Sequence, residues 1–305
     1  MAFLFSLAAG KRMVSVVLLF TAFCYSAFAG AWSARGHIAV TQQALNGLPT
    51  HYQDYFAELV RPLLKAEQKR KPLALHPLAL ASVLPDKQRH VPLAELFASY
   101  HASLPPLLMP YAKEDTSDWH YINLPYAHPD ILGRCGYSPH ISIGGQRDKM
   151  LRLLTEATTE KNSDERSRAL LVVFAVHLIV DAYQPLHNMT AIDKHCQSDR
   201  GGNAVCVSWS KSRARCDWNL HRLWDVGGGY VDELWQQTRH ALKDEKQDMI
   251  KQTKKYTAAA VYSFDSHILS SNYLNYVREV SEQQLVLAKD QIRTYLQRVY
   301  QSQHD

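Results

Sequence analysis

The sequence predicts an all-α protein, a single compact and mostly helical domain with long loops. Near the C-terminus, apolar residues recur at spacings of three, four and seven positions, which is the pattern of an amphipathic helix. The residues of this stripe are Leu285, Ala288, Ile292, Tyr295, Leu296 and Val299. Residues 169–183 are apolar nearly all round, which indicates a buried central helix that ends before Pro185. Strand signals are scarce, and residues 204–209 are one short candidate.

The composition is that of a globular protein. Of 305 residues, 46% are hydrophobic and 21% are charged, which excludes disordered and fibrous classes. The 13 Gly and 13 Pro follow no period, which excludes a collagen-like chain. Histidine is abundant, with 15 copies against 5 Cys. This balance favours metal or acid–base chemistry over thiol chemistry.

The N-terminus has the pattern of a secretory signal peptide. Lys11 and Arg12 precede an uncharged, apolar run over residues 13–28, which at 16 residues is shorter than the ~20 that a membrane span requires. Small residues follow in Ala29-Gly30-Ala31, so we expect cleavage after residue 31. The alternatives are an uncleaved anchor and lipidation at Cys24, which the bulky Phe23 disfavours.

The expected mature chain is one domain over residues 32–305, exported to the periplasm or secreted. It has no second long apolar run, so we expect no stable membrane insertion. Cleavage removes Lys11 and Arg12 and no acidic residue, so 34 basic residues fall to 32 against 29 acidic ones, a net charge of +3. No linker divides the domain, and we expect a monomer. Residues 92–118 and 126–146, which carry Pro, Gly and Ser, predict long loops.

Four cysteines remain after cleavage. An even number in an exported chain predicts two disulfides, with three possible pairings. The cysteines are Cys135, Cys196, Cys206 and Cys216. None of their spacings forms a C-x-x-C pair, so a cysteine zinc site is disfavoured.

Two His–Asp pairs in the sequence indicate a metal site. His177 and Asp181 are four positions apart in the apolar helix, so they share one face, and a carboxylate there must be paired or metal-bound. His221 and Asp225 repeat this spacing, and His187 follows soon after the first pair. One such pair fits a hydrogen bond in a packed core equally well, but two pairs in one domain favour ligands that converge on a metal. Imidazole and carboxylate ligands suit zinc.

Three further segments supply ligand-type residues. Residues 84–89 contain Asp86 and Arg89, and residues 118–123 contain His120. Each is unremarkable alone, since an Asp after Pro is commonly a turn or a helix cap. His37 lies five positions after Trp32, the expected new N-terminus, whose free amine and carbonyl could chelate a metal beside it.

In this order, the residues resemble the zinc-dependent single-strand-specific nucleases of the S1/P1 type, within the superfamily that includes bacterial zinc phospholipases C. Nine ligand-type positions match from Trp32 to Asp225, whereas the last eighty residues match only in being helical. The resemblance implies a cluster of three zinc ions in a cleft. One zinc would take Asp86, His120, His177 and Asp181, the second Trp32, His37 and the shared Asp181, and the third His187, His221 and Asp225.

The resemblance also implies substrate contacts. Arg89 would approach the scissile phosphate, with Asp86 and Asp181 holding the catalytic metals. Tyr121 would stack on a nucleobase and Asn123 would read its edge. Asn203 ends a Gly-Gly-Asn signature at the border of the site. The implied activity is hydrolysis of single-stranded DNA, RNA and 3′-nucleotides to 5′-phosphate products.

The chain departs from the family pattern at three points. Leu84 and Pro85 precede Asp86 where the family commonly has Trp-Ala, and Asn123 replaces a more usual acid. The stretch between Asp86 and His120 is long, which suggests an inserted loop near the site.

Three alternatives stay open. A zinc phospholipase C is disfavoured because that branch carries Glu at the position of Asp225 and a longer segment before His37. A non-catalytic zinc-binding or adhesion protein with the same helical core would hold zinc but hydrolyse no phosphoester. A core of His–Asp hydrogen bonds would hold no metal.

Overall fold

The computed structural model describes residues 32–64, 75–160, 164–209, 216–241, 256–264 and 266–304. The expected signal peptide, residues 1–31, lies outside the described residues. The helices are α1 (Ala34–Asn46), α2 (Thr50–Val60), α3 (Pro77–Ala81), α4 (Leu84–Gln88), α5 (Leu93–Ser99), α6 (Pro129–Cys135), α7 (Arg147–Thr159), α8 (Glu165–Ala182), α9 (Leu220–Asp225), α10 (Tyr230–Ala241), α11 (Ala258–Val261) and α12 (Ser271–His304).

Strands are few and short in the described residues, as the sequence predicts. Strand β1 (Leu124–Tyr126) pairs in parallel with β2 (Met189–Ala191). Strand β3 (Cys206–Val207) pairs antiparallel with β4 (Trp218–Asn219). The predicted all-α class is therefore confirmed, and β3 lies inside the predicted strand segment.

Helix α8 is the centre of the core. Every residue from Ser167 to Asp181 is buried, because the apolar residues of this segment cover all its faces. Helices α7 and α12 pack along it, and α1, α2 and α4 also contact it. The helix begins at an Asp164 cap and ends at Ala182, before Pro185. The predicted central buried helix is confirmed.

Helix α12 confirms the predicted amphipathic stripe. Leu285, Ala288, Ile292, Leu296 and Val299 are all buried, and the stripe packs against α8, α7 and α1. Its burial closes one side of the core that surrounds α8.

The prediction of two long loops was wrong in part. Residues 92–118 contain α5, whose Leu93, Leu96 and Phe97 are buried at helical spacing. Residues 126–146 contain α6, which begins at Pro129. A proline at the first position starts a helix, since its missing N–H has no partner there anyway. The loop prediction interpreted these prolines as loop markers, and it therefore missed α5 and α6.

The cysteines pair as neighbours along the chain. Cys135 bonds Cys196, and Cys206 bonds Cys216. The first disulfide ties the end of α6 to the turn after β2, and the second closes the β3–β4 pair. The sequence left this choice open among three pairings.

None of the helices in the described residues combines the length and apolar composition that a bilayer-spanning helix requires.

Candidate metal centre and substrate cleft

The last turns of α8 present a histidine and a carboxylate to one wholly buried point. His177 Nε2 lies 3.3 Å from Asp181 Oδ2, and His120 Nδ1 lies 2.9 Å from the same oxygen. The other oxygen, Oδ1, lies 3.3 Å from His37 Nε2 on α1. Asp181 therefore faces His120 and His177 with one oxygen and His37 with the other, as a shared ligand would.

Asp86 on α4 completes this side of the site. Its Oδ1 lies 3.7 Å from both His120 Nδ1 and His177 Nε2. In two groups, His37–His177–Asp181 and Asp86–His120–His177, the ligand atoms lie within 4.8 Å of one another. The structure thus brings together five of the predicted ligands from four separate segments of the chain.

A third group lies beyond the end of α8. His187 is the last residue of a short 3₁₀ turn, Pro185–His187, and His221 and Asp225 lie one turn apart on α9. Their ligand atoms also lie within 4.8 Å of one another. All three side chains are buried.

Backbone carbonyls fix how the rings of this group point. His187 Nδ1 lies 2.7 Å from the His120 carbonyl oxygen, and His221 Nδ1 lies 2.6 Å from that of Gly201. Because a carbonyl oxygen only accepts, each Nδ1 carries a proton, and a ring held in this way presents its Nε2 to the site, with a lone pair there when the ring is neutral. These two Nε2 atoms face one another at 3.1 Å. A cation or an additional proton is needed between them, and the donor set suits zinc.

The α8 side of the site shows the same orientation. His177 Nδ1 donates to the Ser82 carbonyl at 2.7 Å, which turns Nε2 toward the two carboxylates. His37 stacks on His177 with ring centroids 4.1 Å apart. The His37 ring nitrogens and Asp181 Oδ1 are buried without a hydrogen-bond partner. Unsatisfied buried polar atoms are rare, and a metal ligand is one explanation of them.

The electrostatics of the site favour positive charge. Burial works to raise the pKa of Asp181, but His177 and the hydrogen bonds from the histidines hold that pKa well below its usual range. Burial works against a charged His177, yet Asp181 and Asp86 raise its pKa to about 9. Burial lowers the pKa of His187 to about 3, so this imidazole is neutral and its Nε2 is available as a metal ligand. The carboxylates of Asp181 and Asp86 thus stabilise positive charge at this point, whether a proton on His177 or a bound cation.

Trp32 lies beside this centre. Its side chain is fully buried, and the next residue, Ser33, donates its N–H to the Asp225 carbonyl at 2.9 Å. Gly36 packs against Trp32 so closely that a Cβ there would lie 3.1 Å from the Trp32 Cβ. The expected mature N-terminus is thus held next to His37 and α9. That the free α-amino group of Trp32 binds a metal ion stays a prediction.

Arg89 is tied to the centre through Asp86. Its Nη2 donates to Asp86 Oδ1 at 2.9 Å, one turn along the chain, and only 14% of its side chain is exposed. Arg89 also lines the cavity in front of the metal groups.

That cavity has a volume of about 330 Å³. The predicted substrate residues Tyr121, Asn123 and Asn203 all line it, together with three of the predicted ligands, His120, His187 and His221. The Tyr121 hydroxyl donates to Asp118 at 2.7 Å, and burial raises the pKa of this phenol to about 12. A neutral ring therefore stands at the wall of the cavity, available for stacking.

The backbone conformation and the close packing around residues 201 and 202 require glycine at both positions. Both residues have positive φ, and a Cβ on Gly201 would lie 2.7 Å from the Leu186 carbonyl oxygen. A Cβ on Gly202 would lie 2.8 Å from the Leu186 side chain. Only glycine combines this conformation with this closeness, and the turn delivers the Gly201 carbonyl to His221.

The sequence reading missed three polar residues around the site. Gln184, fully buried, donates from Nε2 to Asp225 Oδ1 at 2.7 Å. Arg147 is also buried, with 3% of its surface exposed, and it donates from Nη1 to the His187 carbonyl at 3.0 Å. Arg200 lines the cavity. Gln184 lies between the predicted ligands Asp181 and His187 in the sequence, and this position could have marked it as a site residue. No local sequence feature marks Arg147 or Arg200.

Comparison with known proteins decides the family. The family model described as S1/P1 Nuclease matches residues 32–301. The chain belongs to the S1/P1 nuclease family. This S1/P1 family member is also similar to Endonuclease 2 of Arabidopsis thaliana, with 30% identity over 115 residues. That alignment covers 36% of this chain and 36% of the relative, so the chain spans about a third of the curated relative it matches. The resemblance stated from the sequence is confirmed at the level of the family.

Proposed function

We propose that this protein is an exported zinc-dependent nuclease that hydrolyses single-stranded DNA and RNA, and 3′-nucleotides, to 5′-phosphate products. One observation carries the proposal. Three His/Asp groups converge next to a cavity lined by Arg89, Tyr121 and Asn123, in a member of the S1/P1 nuclease family.

The residues of the three groups would hold three zinc ions. Their imidazole and carboxylate donors suit zinc, and a zinc ion would supply the cation that the facing Nε2 atoms of His187 and His221 can share. Asp181 would serve two ions through its two oxygens, and the Trp32 amine and carbonyl would complete the group of His37. Zinc would lower the pKa of a bound water toward ~7 and stabilise the charge of the phosphoryl and leaving oxygens.

The protein side chains would position the phosphate. Arg89 lines the cavity, and its guanidinium is held by the hydrogen bond to Asp86. A preorganised cation of this kind stabilises the negative charge that develops on a phosphoryl group. Its ion pair with Asp86 also couples the phosphate contact to the metal side of the site.

The cavity wall favours unpaired bases. Tyr121 offers a ring face that can stack on any base, and Asn123 offers an amide that can pair with a base edge. A base in a duplex is stacked and paired already, so it can use neither contact without being extruded. We therefore expect single strands to be cut faster than duplexes.

Two observations support export. The family match begins at residue 32, the residue that the signal-peptide pattern predicts as the mature N-terminus. Two disulfides are formed within the described residues, and such bonds persist in oxidising compartments. We propose a monomeric mature chain over residues 32–305.

A comparison of substrates tests the function. The purified mature protein is assayed on single-stranded DNA, duplex DNA, a 3′-nucleotide and phosphatidylcholine. We expect fast hydrolysis of the single strand and the 3′-nucleotide, slow hydrolysis of the duplex and none of the lipid. Cleavage of the lipid without cleavage of DNA would identify a phospholipase instead. Bound zinc with no hydrolysis of any of the four would identify a binding protein.

A further inference from the structure

A network of polar side chains supports the turn that orients His221. The Gly201 carbonyl accepts the proton of His221 Nδ1 at 2.6 Å, and the N–H of the same glycine donates to Thr190 Oγ1 at 3.2 Å. Thr190 lies on β2 and is fully buried. The position of the carbonyl that orients His221 therefore depends on a side chain from a separate strand.

Thr190 both donates and accepts in this network. Its hydroxyl donates to Asp199 Oδ1 at 2.8 Å while its lone pair accepts the Gly201 N–H. A serine at this position could make the same two hydrogen bonds. A valine has nearly the same shape but could make neither of them.

The carboxylate of Asp199 joins three segments of the chain. Besides the Thr190 hydroxyl, its Oδ1 accepts the Ala191 N–H at 2.9 Å, and its Oδ2 accepts the hydroxyl proton of Tyr262 at 2.8 Å. Both oxygens are therefore engaged, one by β2 and the other by the residue that follows α11. Asp199 is bonded directly to Arg200, which lines the cavity as Gly201 does. The network thus fixes the cavity wall as well as the His221 ring.

Tyr262 reaches this network from a distant part of the sequence. It lies 63 positions after Asp199, and its ring stacks on Tyr126 of β1 with centroids 5.7 Å apart. Burial and the neighbouring Asp199 carboxylate raise the pKa of the Tyr262 phenol. The hydroxyl therefore keeps its proton and remains a donor to Asp199.

We propose that Thr190, Asp199 and Tyr262 are positioning residues for the third metal group, which hold His221 Nε2 in place for a zinc ion through the Gly201 turn. The inference rests on the proposed zinc-dependent function. None of the three side chains belongs to a His/Asp group that could itself hold the metal. Hydrogen-bond partners behind a metal ligand fix its orientation before the metal binds, and removing them weakens metal binding about 10- to 100-fold.

The test measures how tightly the full mature chain holds each zinc ion. The variants are Tyr262→Phe, which removes only a hydroxyl, Thr190→Val, which keeps the shape, and Thr190→Ser, which keeps the hydroxyl. The matched control is Tyr276→Phe, because Tyr276 packs on the same apolar cluster as Tyr262 and its hydroxyl has no hydrogen-bond partner among the described residues. Competition with a chromogenic chelator gives the zinc affinities, and denaturant unfolding gives the stability of each variant.

We expect Tyr262→Phe and Thr190→Val to weaken the binding of one zinc ion about tenfold or more and to leave the other two unchanged. Thr190→Ser and Tyr276→Phe should match the wild type. In a His221→Ala background the ligand on which the network acts is already absent. Tyr262→Phe should therefore change zinc binding no further in that background.

The outcomes separate the network from the proposed function. Unchanged affinities in Tyr262→Phe and Thr190→Val, with or without a loss of stability, would overturn the positioning role and leave hydrogen bonds that only stabilise the turn. Equal weakening of all three ions would overturn it as well, since that result would indicate a general loosening of the fold. A wild type that holds zinc but hydrolyses no phosphoester would overturn the proposed function, while the affinities would still decide on the network. A wild type without zinc would overturn both.

Discussion

Tyr121 is the residue at which the proposed base recognition can be isolated. Its ring stands in the cavity wall, and its hydroxyl is held by Asp118 rather than by a predicted metal ligand. Tyr121→Ala should raise KM for single-stranded DNA by about 5- to 150-fold, because stacking on an aromatic ring is worth ~1–3 kcal/mol per base. Zinc content should not change. Steady-state kinetics together with metal analysis check both statements.

Tyr121→Phe is the matched control for this prediction. It keeps the ring and removes only the hydrogen bond to Asp118. KM for Tyr121→Phe close to that of the wild type would support stacking. Equal losses in the two variants would show that the hydroxyl, not the ring, is the important group.

Trp32 gives a second test at the scale of one residue. If its free amine is a metal ligand, one retained residue, Ala31, converts that amine to an amide and removes the donor. We expect the extended protein to bind fewer zinc ions than the protein that begins at Trp32, and to be less active. The comparison uses elemental analysis of both forms. Equal zinc content and equal activity would show that the ligand was assigned wrongly.

Helix α8 is the element on which the candidate metal centre depends most, because its last turns contain His177 and Asp181. Its first turn is held by Asp164, which accepts from the Ser167 N–H at 2.8 Å and the Ser103 N–H at 3.1 Å. Asp164→Ala should lower the free energy of unfolding by about 1 kcal/mol, the usual worth of such a cap. Urea unfolding measures the change, and Asp164→Asn, which keeps an acceptor oxygen, should lose less.

The same cap has a defined pH dependence. Burial works to raise the pKa of Asp164, but its hydrogen bonds from Ser167 and Ser103 bring that pKa below the ordinary value. The charged cap therefore stabilises the fold fully above the ordinary aspartate pKa of about 3.9, and the contribution disappears as the pH falls through the lower folded-state pKa. The difference between wild type and Asp164→Ala should be constant near neutrality and should shrink below about pH 4. A difference that grows on acidification would contradict this account.

At the scale of the whole molecule, the two disulfides brace the side of the fold that carries the third metal group. The sequence separations that they close are 61 and 10 residues. In the chain-entropy model a longer loop restrains the unfolded chain more, so removing the Cys135–Cys196 bond should cost about 4 kcal/mol and removing the Cys206–Cys216 bond about 3 kcal/mol. Paired Cys→Ser variants and denaturant unfolding measure both. A larger loss for the short loop would contradict this entropic reasoning.

The sequence predicted what is encoded locally. His177 with Asp181, and His221 with Asp225, each lie on one face of one helix, so spacing alone makes them neighbours. Helices α8 and α12 followed from strong apolar patterns over many residues. The short helices α5 and α6 were missed because a few apolar positions beside prolines resemble a loop.

The remaining features depend on contacts between distant segments. Gln184 meets Asp225 across 41 positions, and Arg147 meets the His187 carbonyl across 40. No local pattern encodes such pairs, since they arise only when α7, α8 and α9 pack together. The disulfide pairing was open for the same reason.

We propose that the three His/Asp groups of this fold hold three zinc ions. The most direct measurement is elemental analysis of the purified protein that begins at Trp32, with His221→Ala as the matched variant. We predict about three zinc ions per wild-type chain and about two in His221→Ala, because that variant removes a donor from one group alone. A wild-type protein that is folded and contains no zinc would contradict the account, since His–Asp hydrogen bonds would then suffice to hold its core.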